Sequence, residues 1–258
     1  MTSAAGMTSA AGMTSAAGMT SAAGRPVADL APARRKLVVA LDGPGSSGKS
    51  SVGAAAALAC GYRFCDTGLL YRAVTWLALA RGMSSAHPHA VRGLVDEVEL
   101  APDDAGRLSR VIVDGTDHTQ EVRGPAVDAA VSVISAIPEL RLALLERQRA
   151  LVASGGIVMA GRDIGTVVLP DADLKIYLDA SVEERARRRT EERGLDPMSP
   201  EAQAILVALR RRDELDSTRP VAPLRPAPDA RIISTDGNTF EETIDAVAGA
   251  IRDAEARA

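Results

Sequence analysis

From Lys36 onward, short apolar runs alternate with longer segments of helical period, the pattern of a parallel sheet covered on both faces. The runs predicted as strands are LVVAL (37–41), YRFCD (62–66), GIVMA (156–160), LKIYLD (174–179) and ARIIST (230–235). Between the first two, the Ala-rich SVGAAAALAC predicts a helix that stops at Gly61. GLLYRAVTWLALARG predicts another, with Leu70, Val74 and Leu77 near one side and Gly82 as its stop. Pro138 and Gly155 bracket a third. Two stretches break the alternation and are expected to stand out as lobes. The first, 84–130, contains Asp114-Gly115 between apolar segments, a tight-hairpin signal. The second, 181–220, starts with Ser181 and Glu184 in capping-box spacing and continues into the arginine-rich ERARRRTEER and RRRDELDSTR. A charge run of this kind is usually a solvated helix face.

Composition narrows the classes. A chain of 258 residues accommodates one domain with inserts. Its net charge of -4 gives no global positive field for a nucleic-acid partner. Lysine occurs only at positions 36, 49 and 175, so the basic set is dominated by arginine, which suits bidentate oxyanion recognition. Cys60 and Cys65 fit two buried small apolar side chains better than a bridge or a metal half-site, and His87, His89 and His118 lack ligand spacing. No apolar run approaches the roughly 20 residues that span a bilayer, so the expectation is a soluble, cytoplasmic protein. Residues 1–24 are four copies of MTSAAG; with little to bury, they and the linker to residue 35 are expected to be disordered, and they lack the charged and apolar regions of a secretory signal.

The chemistry concentrates in G-P-G-S-S-G-K-S, Gly43 to Ser50, which fits the phosphate-loop pattern G-x-x-x-x-G-K-[ST] and lies between a predicted strand and a predicted helix. Gly43, Gly45 and Gly48, with Pro44 between the first two, permit the turn that aims backbone N–H groups, those of Ser46 and Ser47 among them, at phosphate oxygens. Lys49 reaches the β- and γ-phosphates, Ser50 ligates Mg²⁺, and Ser51 continues the helix start. No lysine follows an asparagine, so the N-K-x-D element of a GTPase is absent. An acceptor side is also legible: Thr67 and Arg72 in DTGLLYR, and Arg162 and Asp163 at the carboxyl end of the central strand, where such sheets bind ligands. The two arginines could grip a second phosphate bidentately, or each could cap a helix or pair with a nearby acid.

The stretches LDGPGSSGKSSV, DTGLLYR, EVRGPAVDAAVSVISAIPELR, GRDIGTVVLPDADLKIYLDASVEERARRR and RRDELDSTRPVAPL resemble, in order, those of bacterial cytidylate kinases, a family of P-loop nucleoside monophosphate kinases. The resemblance implies an α/β P-loop kinase core with a five-stranded parallel sheet flanked by helices, an NMP-binding insert and a lid. On that basis residues 36–258 form one domain: core 36–83, 131–180 and 221–258, insert 84–130, lid 181–220. It implies Mg²⁺-dependent transfer of the ATP γ-phosphoryl group to CMP or dCMP, within pyrimidine nucleotide metabolism, by a monomer with no nucleic-acid or membrane partner.

By motif, Thr67, Arg72 and Arg162 resemble the acceptor-phosphate contacts, and Ser132, Arg141, Asp163 and Arg219 the readers of the cytosine edge. Arg212 and Asp216 resemble the ribose contacts. Arg185, Arg188 and Arg189 resemble positions that border ATP. Lys49, Arg162, Arg212 and Arg219 are then the expected catalytic groups. Where relatives carry an acid before GRDIG, this chain has Ala160. The role of that acid is dispensable, or another carboxylate such as Asp42 compensates, or activity is reduced; a weaker Mg²⁺ dependence on that side is the expectation. The competing readings are a kinase for UMP or AMP and a non-catalytic nucleotide-binding protein.

Overall fold

The computed structural model describes residues 36–258; the repeat and linker expected over 1–35 lie outside the described residues. Five strands form the parallel centre of the sheet: β1 (Val38–Asp42), β2 (Arg63–Asp66), β6 (Ile157–Gly161), β7 (Leu174–Asp179) and β8 (Arg231–Ser234). Their spatial order is β2-β6-β1-β7-β8. Each lies within about one residue of its sequence-based position, because an inner strand buried on both faces is written as a nearly continuous apolar run, although in the edge strand β8 only Ile233 is buried. Every residue of β6 is buried. Three further strands, β3 (Val98–Pro102), β4 (Leu108–Val113) and β5 (Thr116–Asp117), extend the same sheet beyond β2. β4 joins β2 in parallel through the pair Cys65 and Leu108, while β3 and β5 flank β4 antiparallel. The β4–β5 turn is the Asp114-Gly115 hairpin, with both residues at positive φ (50° and 74°).

Alternation along the strands divides the core. Val39, Leu41, Phe64, Val158, Ala160, Ile176 and Leu178 face one way and pack under α1 (Lys49–Ala59) and α8 (Phe240–Glu255). Ala40, Cys65, Ile157 and Met159 face the other way, with Ile164, Val168 and Leu145. α2 (Gly68–Ala80), α3 (Pro88–Gly93), α4 (Pro125–Ile134) and α5 (Pro138–Leu151) share a third apolar cluster with β3 and β4. Cys65 is buried, Cys60 half-buried, and both are free thiols.

Two glycines set how closely α1 and its loop approach the sheet. A Cβ on Gly53 would stand 2.5 Å from Leu41 Cδ2, and one on Gly43 would stand 2.3 Å from the Leu178 carbonyl oxygen, below any normal contact. Side chains at these positions would lift the helix or the loop off β1 and β7.

α6 (Val182–Glu192) and α7 (Pro200–Thr218) pack on each other around Ala186, Ile205 and Leu209. Only half of the capping box expected at Ser181 forms. Ser181 Oγ accepts from Glu184 N at 3.3 Å, but the Glu184 carboxylate binds Arg187 and Arg188, and the Ser181 N–H goes to Asp236 instead. The stronger ion pairs outcompete one backbone donor. A full box, Thr239 with Glu242, starts α8. Among the described residues, no helix is long and apolar enough to cross a membrane.

Candidate active site

The carboxyl ends of β1, β2 and β6 converge on one edge of the sheet, and the loop Gly43–Gly48 leaves β1 there to enter α1. Ser46 and Gly48 take positive φ (61° and 85°), which folds the loop back on itself. Lys49, 7 % exposed, donates from Nζ to the Pro44 carbonyl at 2.7 Å. Burial, with the Arg162 charge next, holds this ammonium well below its ordinary pKa. Ser47 Oγ is buried without a hydrogen-bond partner. Ser50, at the start of α1, donates to Asp66 Oδ2 at 2.7 Å.

Asp42, the last residue of β1, is committed to structure. Its oxygens accept from Ile164 N (2.8 Å) and Gly165 N (2.7 Å), which fastens the π-helical turn Ile164–Val168 beside the loop. Each oxygen thus carries one backbone N–H of that turn. Burial is the largest influence on its carboxyl and, against the two N–H groups, pushes it up to about 6. In the window between the ordinary value of 3.8 and about 6, the folded protein keeps a proton that the unfolded chain has released. Stability therefore falls as pH rises through that window, by about 3 kcal/mol in all. Thermal melts should show the melting-temperature difference between the parent and Asp42→Asn changing across that window, to the parent's disadvantage, and levelling off above it. A constant difference would count against the assignment.

The nine residues assigned to the acceptor from sequence line a single cavity: Thr67, Arg72, Ser132, Arg141, Arg162, Asp163, Arg212, Asp216 and Arg219. They come from α2, α4, α5, the end of β6, and α7 with its C-cap. At one end, Arg141 donates from Nη2 to Asp163 Oδ2 at 2.5 Å and from Nη1 to the Ser135 carbonyl, and its guanidinium stands 5.3 Å from the Tyr71 ring centre. Arg219 reaches the other Asp163 oxygen at 3.5 Å and donates from Nε to the Ala222 carbonyl. Asp163 is 4 % exposed and both arginines 7 %. Burial works against the Arg141 charge, but Tyr71 and Asp163 outweigh it and raise its pKa; burial, then Arg141 itself, lower that of Arg219.

At the other end, Arg162 donates from Nε to Asp216 Oδ2 at 3.1 Å. Burial opposes the Asp216 charge, but Arg162, Arg212 and Arg219 hold its carboxyl below the usual range. Burial, with Arg162 next, pushes Arg212 down to about 10. Arg162 Nη2 and the Arg212 side chain lie against Gly45, so the cavity opens directly onto the loop. Three of its buried polar atoms, Ser132 Oγ, Arg212 Nε and Arg219 Nη2, make no hydrogen bond to the described residues, though Arg219 Nη2 faces Asp163 Oδ1 at 3.5 Å; they remain able to donate or accept within the cavity.

Thr67 and Arg72 sit at the start of α2. The Thr67 hydroxyl donates to the Ala160 carbonyl at 2.8 Å, and Arg72 is held by Asp128 Oδ1 at 2.5 Å and the Val122 carbonyl at 3.2 Å. The α6 arginines go separate ways. Arg185, 4 % exposed, spans the Gly45 carbonyl, the Ala180 carbonyl and Asp213, so it ties the loop to α7. Arg188 turns to Glu184 and Thr235, and Arg189 to Glu192 with Asp128 at 3.9 Å. Tyr71 and Asp66 also line the cavity but were not singled out from sequence. Tyr71 reads as one more apolar position of a helix, and Asp66 as the polar end of a strand. The signal that could have found them is their membership of DTGLLYR, five of whose seven residues line the cavity.

Residues 39–253 match the family model for cytidylate kinase. The chain is 45% identical over 217 residues to the cytidylate kinase of Mycobacterium avium (strain 104), covering 84% of this chain and 95% of that protein. It is 46% identical over 210 residues to that of Nocardia farcinica, covering 81% and 90%. To that of Geobacillus kaustophilus it is 44% identical over 216 residues, covering 83% and 96%.

Proposed function

The chain belongs to the cytidylate kinase family, and on that premise we propose how its residues divide the work of moving the ATP γ-phosphoryl group to CMP or dCMP. The single observation that carries the reading is the cavity itself: buried Ser132, Arg212 and Arg219 atoms that make no hydrogen bond line one space, and the Arg162 and Arg212 side chains on its wall lie against Gly45 of the phosphate loop. The loop N–H groups and Lys49 hold the donor's β- and γ-phosphates. Arg72 and Arg162 grip the acceptor phosphate opposite, and Arg212 with Asp216 faces the ribose. Ser132, Arg141, Asp163 and Arg219 read the base. A carboxylate between two guanidiniums suits cytosine, whose N4 amino group donates while N3 and O2 accept. The stretch 84–130 serves as the acceptor-side insert and 181–220 as a lid, with Arg185 joining lid to loop.

An acceptor phosphate oxygen attacks the γ-phosphorus, the bond to the β-bridging oxygen breaks, and ADP and CDP result. No general base is needed, because the attacking oxygen is already anionic. Burial and the Arg162 charge disfavour the charged forms of Lys49 and Arg212, and Arg212 adds to the effect on Lys49. Phosphates between them offset that cost, and most strongly where charge is spread over the migrating group. Arg219, from the C-cap of α7, closes the base end as the lid seats, which also excludes water as an acceptor. Mg²⁺ fits the site chemically, since the loop offers the hard oxygen of Ser50; when bound, the ion neutralises charge between the phosphates. The net charge of -4 supports the absence of a nucleic-acid partner, and the enzyme is taken to act as a monomer. A cytoplasmic location accords with such a substrate.

A coupled assay of ADP release with CMP, dCMP, UMP and AMP tests class and substrate together. CMP and dCMP should turn over, with UMP and AMP slower by about 10²-fold or more, because they leave the buried base-reading groups mispaired. Equal turnover of UMP or AMP would overturn the base assignment. Tight binding of ATP and CMP with no turnover would revive a non-catalytic reading.

A further inference from the structure

Asp66 ends β2 and is held from both sides by helix starts. Its Oδ1 accepts the Gly68 N–H of α2 at 3.0 Å, and its Oδ2 accepts the Ser50 hydroxyl of α1 at 2.7 Å. Its register partner on β6 is Ala160, whose methyl group offers no oxygen. Parallel register partners share a face of the sheet, and this face carries α1. Thr67 N and Thr67 Oγ1 both donate to the Ala160 carbonyl (3.0 and 2.8 Å), which locks the two strand ends together beneath the loop. Asp42, the acid at the end of β1, has both oxygens on Ile164 N and Gly165 N. Asp66 is thus the carboxylate in contact with the phosphate-loop hydroxyl.

We propose that Asp66 organises the divalent-cation site: it accepts the hydrogen bond of the Ser50 hydroxyl, so that the oxygen's lone pairs face the ion, and accepts a second from water bound to that ion. This rests on the kinase reading given above. The physical argument is one of orientation. A hydroxyl ligates well only when its hydrogen is directed elsewhere, and a carboxylate fixed by a second hydrogen bond directs it at little entropic cost. A carboxylate placed one strand over, at position 160, would project from the same face into the same corner. Asp66 could instead serve only to cap α2 through Oδ1, and that role an asparagine performs equally well.

The test uses the full chain with Mn²⁺ as probe, its binding to the enzyme–ADP complex read by electron paramagnetic resonance. Asp66→Asn should weaken Mn²⁺ binding in that complex by about 10- to 100-fold, while metal-free ADP binds as to the parent and the melting temperature stays close to the parental one. Adding Ala160→Glu should return most of the lost Mn²⁺ affinity. Asp66→Glu, which keeps the charge but displaces the oxygens by one methylene, is the second variant and should also weaken Mn²⁺. Parental Mn²⁺ affinity in either single variant, or no recovery in the double variant, overturns the proposal and leaves the kinase reading standing. A parent that binds neither ADP nor Mn²⁺ with ADP overturns both.

Discussion

Replacing Lys49 by methionine is expected to lower kcat by about 10³-fold while leaving the melting temperature unchanged or higher. The two effects have one cause. Lys49 is 7 % exposed and stands near Arg162 and Arg212, and burial and those charges hold its pKa well below the ordinary value. A buried charge that is poorly compensated destabilises the fold, and an apolar side chain of similar length relieves the cost. Against that gain stands one hydrogen bond to the Pro44 carbonyl, worth about 1 kcal/mol. The ammonium is therefore retained for phosphate charge and not for folding. Kinetics by coupled ADP release, beside a thermal melt, would decide. A variant that loses stability in step with activity would show that Lys49 is structural.

Asp163→Ala carries the opposite signature. Asp163 is 5 % exposed in its side chain and accepts from Arg141 at 2.5 Å with Arg219 at 3.5 Å. Its removal takes the shared carboxylate from two buried guanidiniums and leaves, among the described residues, only Asp216, 4.0 Å from Arg219, at a cost of about 3–5 kcal/mol. On the proposed division of roles the base-reading carboxylate disappears at the same time, so the preference for CMP over UMP should shrink by about 10²-fold. Asp163→Asn keeps the volume and one acceptor, so it should recover part of the stability but little of the selectivity. Denaturant melts and the CMP/UMP ratio of kcat/KM measure the two losses separately. Stability retained in Asp163→Ala would mean that Arg141 and Arg219 find other anions.

Much of the active site was legible in the chain because its donor half is local. Gly43 to Ser50 are consecutive, their turn needs particular glycines, and a strand and a helix must flank them. The acceptor half was legible only as separate motifs with roles implied by resemblance. Nothing in the spacing of Ser132, Arg141, Asp163 and Arg219 indicates that one carboxylate lies between two of the arginines. Arg72 shows the same limit. Sequence marked it as a phosphate ligand, but its present partner, Asp128, lies 56 positions away on α4. In α6, Arg185 and Arg189 are one helical turn apart and read alike. The first is buried against the loop and the second is exposed toward Glu192 and Asp128.

By itself the sequence determined the phosphate loop, the five parallel strands and the Asp114-Gly115 turn, since each depends on residues adjacent in the chain: apolar runs, which for the inner strands need two covered faces, and glycines that need positive φ. Tertiary structure alone decided that β6 enters between β1 and β2, and with it which carboxylate does what. Asp42 closes on amides 122 and 123 positions away, and Asp66 on the loop hydroxyl beside Ala160. The physical reason is that an ion pair or hydrogen bond is settled by distances of a few ångströms, which depend on how distant segments cross, and no local pattern of residues encodes that crossing.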